Sequence, residues 1–311
     1  MNLSSTLCMP RSSRALFVLF GWLFAAACAA AEIEVVASFS ILGDLVREVG
    51  GERVAVHALV GPDQDAHVYE PRPSDARRTG SARLVVANGL GFDDWLPRLA
   101  RSAGYKGAVV VASDGIRPLS MNGSDDHSGH DSSAGRIDPH AWQDVGNVRT
   151  YIDNIAAALA AADPDGADIY RGNAARYRAA LDALDAGIRE AIARLPKERR
   201  KVVSSHDAFG YFARAYGVRF LAPVGVAGHT EAGARSVARL IAQLQREKAP
   251  AVFLENVSDP RLIERIRSES GAVAGGTLYS DALSSASGPA PTYLAMMRHN
   301  LATLMAALEK Q

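Results

Sequence analysis

Apolar runs of strand length recur along the chain and alternate with segments of helical periodicity. The runs are rich in valine and bounded on both sides, which suits buried parallel strands better than half-exposed antiparallel ones. We predict strands at Glu34–Ser38, Val54–Val60, Leu84–Asn88, Val109–Ala112, Val202–Ser205, Phe220–Pro223, Ala251–Glu255 and Val273–Thr277. We predict helices at Ile41–Val49, Val148–Ala162, Gly233–Glu247, Arg261–Ser270 and Thr292–Leu308. This alternation indicates an α/β fold of two lobes, each a mostly parallel four-stranded sheet flanked by helices.

The segment between the two groups of strands carries one continuous apolar stripe. Its positions are separated by steps of three and four residues, which is the period of a single helix face. They are Tyr170, Ala174, Tyr177, Leu181, Leu184, Ile188, Ile192 and Leu195. A helix over Asp168–Leu195 is about 42 Å long, and Pro196 ends it. We expect this long rigid helix to join the lobes. The alternative is a long helix within one domain.

The first 31 residues have the pattern of a secretory signal peptide. Arg11 and Arg14 precede an apolar run over 15–27, and the small residues 29–31 offer a cleavage site. One alternative to a cleaved signal peptide is a membrane span, although the run is short for it. Another is lipidation of Cys28. We expect export to the periplasm and the following organisation: signal peptide 1–31, N-terminal lobe 32–165, linker helix 166–196 and C-terminal lobe 197–311.

Composition narrows the chemistry that the mature chain can perform. The 34 basic and 34 acidic residues balance, so nothing in the charge favours nucleic acid or an anionic membrane as a partner. Both cysteines, Cys8 and Cys28, fall in the predicted signal peptide, so a metal site in the mature chain must use His, Asp and Glu. The polar segment 122–134 contains His127 and His130. It is expected to be a mobile loop that either holds metal weakly or is only a solvated linker.

Four metal-binding residue types occur beside predicted elements. His67, His206 and Asp281 each follow a predicted strand, and His140 precedes a predicted helix. Ligands of open parallel sheets bind at the carboxyl ends of the strands, so these side chains can converge in a cleft between the lobes. Three imidazoles and one carboxylate can complete a tetrahedral shell around zinc. Considered alone, each histidine fits a loop or core residue better than a metal ligand, because no local sequence motif joins the four residues.

Four segments, in order, resemble the signature of one family. They are HVYEPRPSD at 67–75, DPHAW at 138–142, HDAFGYF at 206–212 and YSDAL at 279–283. The family is that of the zinc- and manganese-binding periplasmic proteins of ABC importers, the ZnuA/TroA type, and the likeness runs from about residue 32 to the C-terminus. It implies a metal ion held between two lobes that a rigid helix joins. By motif position, the resemblance assigns the ligands as His67, His140, His206 and Asp281.

The resemblance implies a monomeric receptor and not an enzyme. Such a receptor captures Zn²⁺ and delivers it to the membrane permease of an ABC importer, and a metal-donating protein is a further candidate partner. Manganese-selective relatives commonly place glutamate where this chain has His206, and imidazole nitrogens favour zinc. The alternatives are a manganese receptor or adhesin of the same fold and a secreted zinc hydrolase, although no HExxH motif occurs. Glu70 and Asp207 are candidates for orienting the imidazoles.

Overall fold

The computed structural model describes residues 32–107, 109–120, 137–222, 237–238, 241–242, 244–245 and 251–309. The predicted signal peptide, the histidine-containing segment 122–134 and most of the predicted helix Gly233–Glu247 lie outside these ranges. The other predicted strands and helices all occur, with ends that differ by no more than a few residues. The prediction of an α/β fold with two parallel sheets is therefore confirmed.

The first sheet is parallel throughout and has the strand order β2-β1-β3-β4. Its strands are β1 (Ile33–Phe39), β2 (Val54–Val60), β3 (Leu84–Ala87) and β4 (Val109–Val111). The helices that alternate with them are α1 (Ser40–Gly50), α2 (Pro73–Ser81) and α3 (Trp95–Ser102). Every residue of β3 is buried, as expected for an inner parallel strand that is covered on both faces.

Two short strands and two long helices follow the first sheet. The strands, β5 (Leu119–Ser120) and β6 (Ile137–Asp138), form an antiparallel pair. They were not predicted, because two residues are too few to show a periodic pattern. Helix α4 (Val145–Ala162) begins at Asp144, whose side chain accepts the N–H of Gly146 at 2.9 Å.

Helix α5 (Ala167–Ala193) is the predicted long helix, and all eight predicted stripe positions are buried, seven within the helix and Leu195 just beyond its end. At 1.5 Å per residue it is about 40 Å long. It packs against α1 and α4 of the N-terminal half and also against two helices of the C-terminal half, which contains the second sheet. Because packing of an apolar face stabilises a helix, a buried stripe of this length accounts for one continuous helix of about seven turns.

The second sheet is also parallel throughout and has the order β10-β9-β7-β8. Its strands are β7 (Lys201–Val203), β8 (Arg219–Leu221), β9 (Ala251–Glu255) and β10 (Val273–Leu278). Described helices in this half are α6 (Gly210–Tyr216), α7 (Pro260–Ser270) and α8 (Tyr293–Leu308). When the strands of each sheet are numbered in chain order, both sheets have the same spatial order: second, first, third, fourth. Each sheet therefore has a topological switch point between its first and third strands, where ligands of such folds bind.

The two sheets share one hydrophobic core. Alternate residues of a strand point to opposite faces, so Val35 and Val202 enter the shared core while Val36 and Val203 pack into separate clusters on the outer faces. The stripe of α5 belongs to the shared cluster. Residues Glu32–Gln311 accordingly form one compact unit. Within the described ranges, no helix has the length and apolar character that crossing a membrane requires.

Candidate metal centre

The four predicted ligand side chains come together at one place. One ligand atom from each of His67, His140, His206 and Asp281 lies within 4.8 Å of the others. His67 is in the loop between β2 and α2, and His140 lies between β6 and α4. His206 follows β7, and Asp281 follows β10. The centre therefore draws two side chains from each half of the chain, at the carboxyl ends of the strands.

Asp281 is at the middle of the cluster. Its Oδ2 is 3.4 Å from Nε2 of His67 and 3.1 Å from Nε2 of His206, and its Oδ1 is 3.5 Å from Nε2 of His140. The Nε2 atoms of His67 and His140 are 3.3 Å apart. Two ligand atoms bonded at 2.0–2.1 Å to a tetrahedral ion are separated by about 3.3 Å. The spacing of these side chains thus suits a single small cation between them.

Three of the polar atoms that face this centre are buried and lack hydrogen bonds. His140 and Asp281 have no exposed surface, and His206 is 5% exposed. Nε2 of His206 and both carboxylate oxygens of Asp281 have no hydrogen-bond partner among the described residues. Buried polar groups without partners are costly and uncommon in proteins. A divalent cation would satisfy all three atoms at once, so the donor set and the geometry both fit a metal ion.

Two buried carboxylates orient the imidazoles from behind. Nδ1 of His140 is 2.8 Å from Oδ1 of Asp138, which also accepts the backbone N–H of His140 at 2.9 Å. Nδ1 of His206 is 2.7 Å from Oε2 of Glu255, and Oε1 of Glu255 accepts the backbone N–H of His206 at 2.9 Å. A proton held on Nδ1 leaves Nε2 as the lone-pair donor that faces the centre.

These orienting carboxylates differ from the candidates that the sequence suggested. Glu70 is exposed. Asp207, the other candidate, interacts with the imidazoles of His140 and His206 only through its charge and makes no hydrogen bond to either ring. Glu255 was missed because it is 49 residues from His206 and meets it only through the pairing of β7 with β9. Asp138 could have been found, since it is two residues from His140 and a carboxylate at that spacing can accept from the histidine's own N–H.

The charges of the centre reinforce one another. Burial alone would raise the pKa of Asp281, but the imidazoles of His140 and His206 outweigh it and hold that pKa well below its usual range. Burial alone would lower the pKa of His206, but the carboxylates of Glu255 and Asp281 raise it well above the usual value. The pKa of His140 is raised in the same way, against burial, by Asp281 and Asp138. The centre therefore stabilises positive charge.

The loop that carries His67 is held by its own carboxylates. Oδ1 of Asp65 accepts the backbone N–H of His67 at 2.8 Å. Oδ2 of Asp75, on the first turn of α2, accepts from the hydroxyl of Tyr69 at 2.7 Å and from the N–H of Arg72 at 2.6 Å. Pro73 starts α2, where its missing N–H costs nothing. These local contacts explain how a histidine in a loop is aimed at the centre.

The remaining described histidines lie elsewhere. His57, on the edge strand β2, has its Nε2 3.0 Å from Oε2 of Glu34. His299, on α8, has its Nε2 3.0 Å from the carbonyl oxygen of Thr277. His127, His130 and His229 lie outside the described residues. The prediction that the segment 122–134 holds metal or is a linker therefore stays a prediction.

Comparison with known proteins places the chain among metal-binding receptors. Residues 35–307 match the family described as ZnuA, the zinc-uptake complex component A, periplasmic. The manganese-binding lipoprotein MntA of Halalkalibacterium halodurans is 34% identical, over 89% of this chain and 89% of that protein. The iron-binding protein YfeA of Yersinia pestis is 32% identical, over 88% and 86%. The structure of the periplasmic zinc-binding protein TroA from Treponema pallidum has a TM-score of 0.79 and 31% identity, and the match covers 89% of this chain and 99% of that one.

Proposed function

The chain belongs to the ZnuA family, the metal-binding receptors of ABC importers, and we propose that its cargo is Zn²⁺ held by His67, His140, His206 and Asp281. The observation that carries this proposal is the spacing of the ligand atoms. Distances of 3.1–3.5 Å between nitrogens and carboxylate oxygens suit a tetrahedral shell of three imidazoles and one carboxylate. The names of the relatives specify manganese, iron and zinc, so the ion has to be argued from the chemistry.

The donor set favours zinc. Imidazole nitrogen is a borderline-soft ligand, and affinity for such sites is higher for Zn²⁺ than for Mn²⁺ or Fe²⁺. The two carboxylates behind the imidazoles increase the basicity of the ligands. One observation favours manganese as the second candidate: both oxygens of Asp281 face the centre, which would allow bidentate binding and a higher coordination number.

The experiment that tests the ion has two arms, because affinity alone favours zinc at almost any nitrogen-rich site. The first is competition titration of the mature protein with Zn²⁺ and Mn²⁺, alongside a His206→Glu variant that should narrow the ratio of the two affinities. The second is elemental analysis of protein recovered from cells grown with equal zinc and manganese. Manganese in the recovered protein, or manganese affinity equal to that for zinc, would overturn the assignment.

A transport receptor is better supported than a hydrolase of the same metal. A catalytic zinc keeps an open position for water, with three protein ligands, whereas four protein side chains converge here and three of them are buried. A crystal structure of the zinc-loaded protein should show all four side chains, and no water, bound to the ion at about 2.0 Å. Hydrolysis of ester or peptide substrates that depends on added zinc would favour the hydrolase.

The cellular setting of the receptor completes the proposal. We propose that residues 1–31 direct export to the periplasm and that the mature chain, a monomer, passes its ion to the permease of the importer. Lipidation at Cys28 is the alternative to release of the mature chain. The lobe boundaries 32–165 and 197–311, with 166–196 as the linker, are supported by α5, which packs against elements of both halves. Mass spectrometry of the mature N-terminus distinguishes cleavage after residue 31 from a lipid on Cys28.

A further inference from the structure

One exposed residue near the centre has an unusual backbone and unusual partners. Asp63, in the loop after β2 and four residues before His67, has a φ of +53°. Only Gly, Asn and Asp adopt this left-handed conformation at low cost. Its side chain is exposed, and neither of its oxygens serves the loop's own turn. The side-chain oxygens instead accept from residues of the other half of the protein.

All three polar contacts of Asp63 are with residues of the C-terminal half. Its N–H donates to the carbonyl oxygen of Leu283 at 2.9 Å. Its Oδ1 accepts from the side-chain amide of Asn256 at 3.0 Å, and its Oδ2 accepts from the N–H of Ser285 at 3.3 Å. The two partners of its side chain, Asn256 and Ser285, are 193 and 222 residues away in the sequence. Asp63 therefore bridges the two halves at the rim of the centre.

The partners of Asp63 are connected directly to metal ligands. Asn256 follows Glu255, the carboxylate that orients His206, and Leu283 and Ser285 follow Asp281 by two and four residues. One residue in the His67 loop thus holds the segment that carries Asp281 and the strand end that supports His206. Loss of these contacts would loosen three ligands relative to one another without removing any of them.

The same segment is also held from inside, by buried hydrogen bonds. The carbonyl oxygen of Ser280 accepts from Trp142 Nε1 and Gln143 Nε2, both at 2.9 Å, and Ser40 Oγ accepts from the N–H of Leu283 at 3.0 Å. Water replaces a hydrogen bond more easily at an exposed position than at a buried one. The contacts of Asp63 are therefore the ones that can open first while the buried ones still hold the fold.

We propose that Asp63 is a positioning residue that latches the His67 loop to the Asp281 segment and thereby sets the rate at which the bound metal leaves. The inference rests on the proposed function, since the ion must first bind at this centre. With the latch closed, all four ligands stay in register and the ion is retained. When the permease or a fluctuation opens the latch, the Asp281 segment gains freedom and the ion can escape.

The test measures dissociation of Zn²⁺ from the loaded mature protein into an excess of a chromogenic chelator, by stopped-flow absorbance. Asp63→Gly removes the side-chain contacts and keeps the backbone conformation, because glycine accepts a φ of +53° without strain. We expect it to release zinc roughly 5- to 30-fold faster, which is less than the full loss of two hydrogen bonds to a charged group, because water partly replaces them at this exposed position. Asp63→Asn keeps one acceptor and should fall between Asp63→Gly and the wild type.

Two further variants separate the latch from general loosening of the loop. Asn256→Ala removes the partner amide, which also donates to the carbonyl oxygen of Ala282 at 3.3 Å, so its own effect includes that bond and should not add fully to the effect of Asp63→Gly. Gln64→Ala is the matched control: it changes the next residue and removes only a local bond, in which the N–H of Gly61 donates to Oε1 of Gln64 at 3.0 Å. Its release rate should stay within about twofold of the wild type.

The possible failures can be told apart. If the wild-type protein binds no zinc, the proposed function and the latch both fall. If it binds zinc but Asp63→Gly and Asn256→Ala release it at the wild-type rate, only the latch falls. Hydrogen exchange of the metal-free protein adds a readout that does not depend on zinc: faster exchange at 282–285 in Asp63→Gly than in Gln64→Ala is expected, and equal exchange contradicts the latch.

Discussion

The two sheets deliver imidazoles to the same centre, but they hold them in different ways. His67 lies on a half-buried loop that is organised by residues close in sequence, Asp65 and Asp75. His206 is buried and is held by Glu255, which lies on another strand 49 residues away. The first side of the centre is thus built from local contacts, and the second from a buried ion pair that only the folded sheet can form.

This difference predicts different consequences when the support is removed. A local loop can rearrange or take up water when one contact is lost, so its ligand is only loosened. A buried imidazole beside two carboxylates has no such freedom, because every charge there is balanced by another. We therefore expect the His206 side to be the more sensitive side of the centre, and the predictions below test that ranking.

The largest effect should follow removal of the proposed ligands themselves. His206→Ala leaves Glu255 and Asp281 buried without their common partner, so zinc affinity should fall by about 100-fold or more and the metal-free protein should lose roughly 3 kcal/mol of stability. His67→Ala should weaken zinc binding at least about tenfold with a smaller loss of stability. Competition titration and chemical denaturation measure both. Equal stability losses in the two variants would contradict the ranking.

The next effect concerns the orienting carboxylate. Glu255→Gln keeps an oxygen for the N–H of His206 but removes the charge behind Nδ1, so zinc affinity should fall by about 10- to 100-fold. Asp207→Asn is the control, because it removes an acid beside the same histidine that does not orient the ring. Its affinity should change by no more than about threefold. If the control loses as much as Glu255→Gln, net charge and not orientation is the cause.

The comparison also shows which parts of the structure could be predicted from sequence. The strands, the long helix and the four proposed ligands each leave a local trace: valine runs, a stripe of eight apolar positions, and three histidines and an aspartate beside predicted strands or helices. Glu255 and the partners of Asp63 leave none, since their contacts depend on strand order and on the packing of loops far apart in the chain. Glu70 was a candidate because it is near His67 in the sequence, but a turn at 67–68 separates the two residues and the side chain of Glu70 is exposed.

A third effect contrasts the carboxylates of the centre with a buried carboxylate that has no imidazole beside it. Asp44, on α1, accepts the N–H of Tyr293 at 2.7 Å. Burial raises the pKa of Asp44 from 3.8 to about 6, with a further contribution from Glu48, against the opposing effect of the Tyr293 N–H and Arg47. The folded state therefore binds this proton more tightly than the unfolded state does. The stability that it contributes is present below about pH 4 and is lost as the pH rises through about 6.

Asp44→Asn should remove this cost and keep an oxygen for the Tyr293 N–H. The rise from 3.8 to about 6 corresponds to about 3 kcal/mol at pH 7.5, and the cost of burying the amide that replaces the carboxylate offsets part of it. We therefore expect the variant to be more stable than the wild type by about 1–2 kcal/mol at pH 7.5 and to show little or no gain at pH 4. Chemical denaturation of the metal-free protein at the two pH values measures the difference. Glu48→Gln, which removes only the neighbouring charge, should give a smaller gain. An equal gain at both pH values would exclude ionisation of Asp44 as the cause.

The smallest effect should come from the local support of His67. Asp75→Ala removes the acceptor for the Tyr69 hydroxyl and the Arg72 N–H, which together shape the loop between His67 and α2. Losing a helix-terminal acceptor of this kind costs about 1 kcal/mol, and we expect zinc affinity to fall only about two- to fivefold because the loop can rehydrate. Ser74→Ala, which loses only a long contact of 3.4 Å to Oδ1 of Asp75, is the matched control for the competition titration. A loss in Asp75→Ala as large as that in Glu255→Gln would show that the two sides of the centre are equally sensitive, and the distinction between local and non-local support would fail.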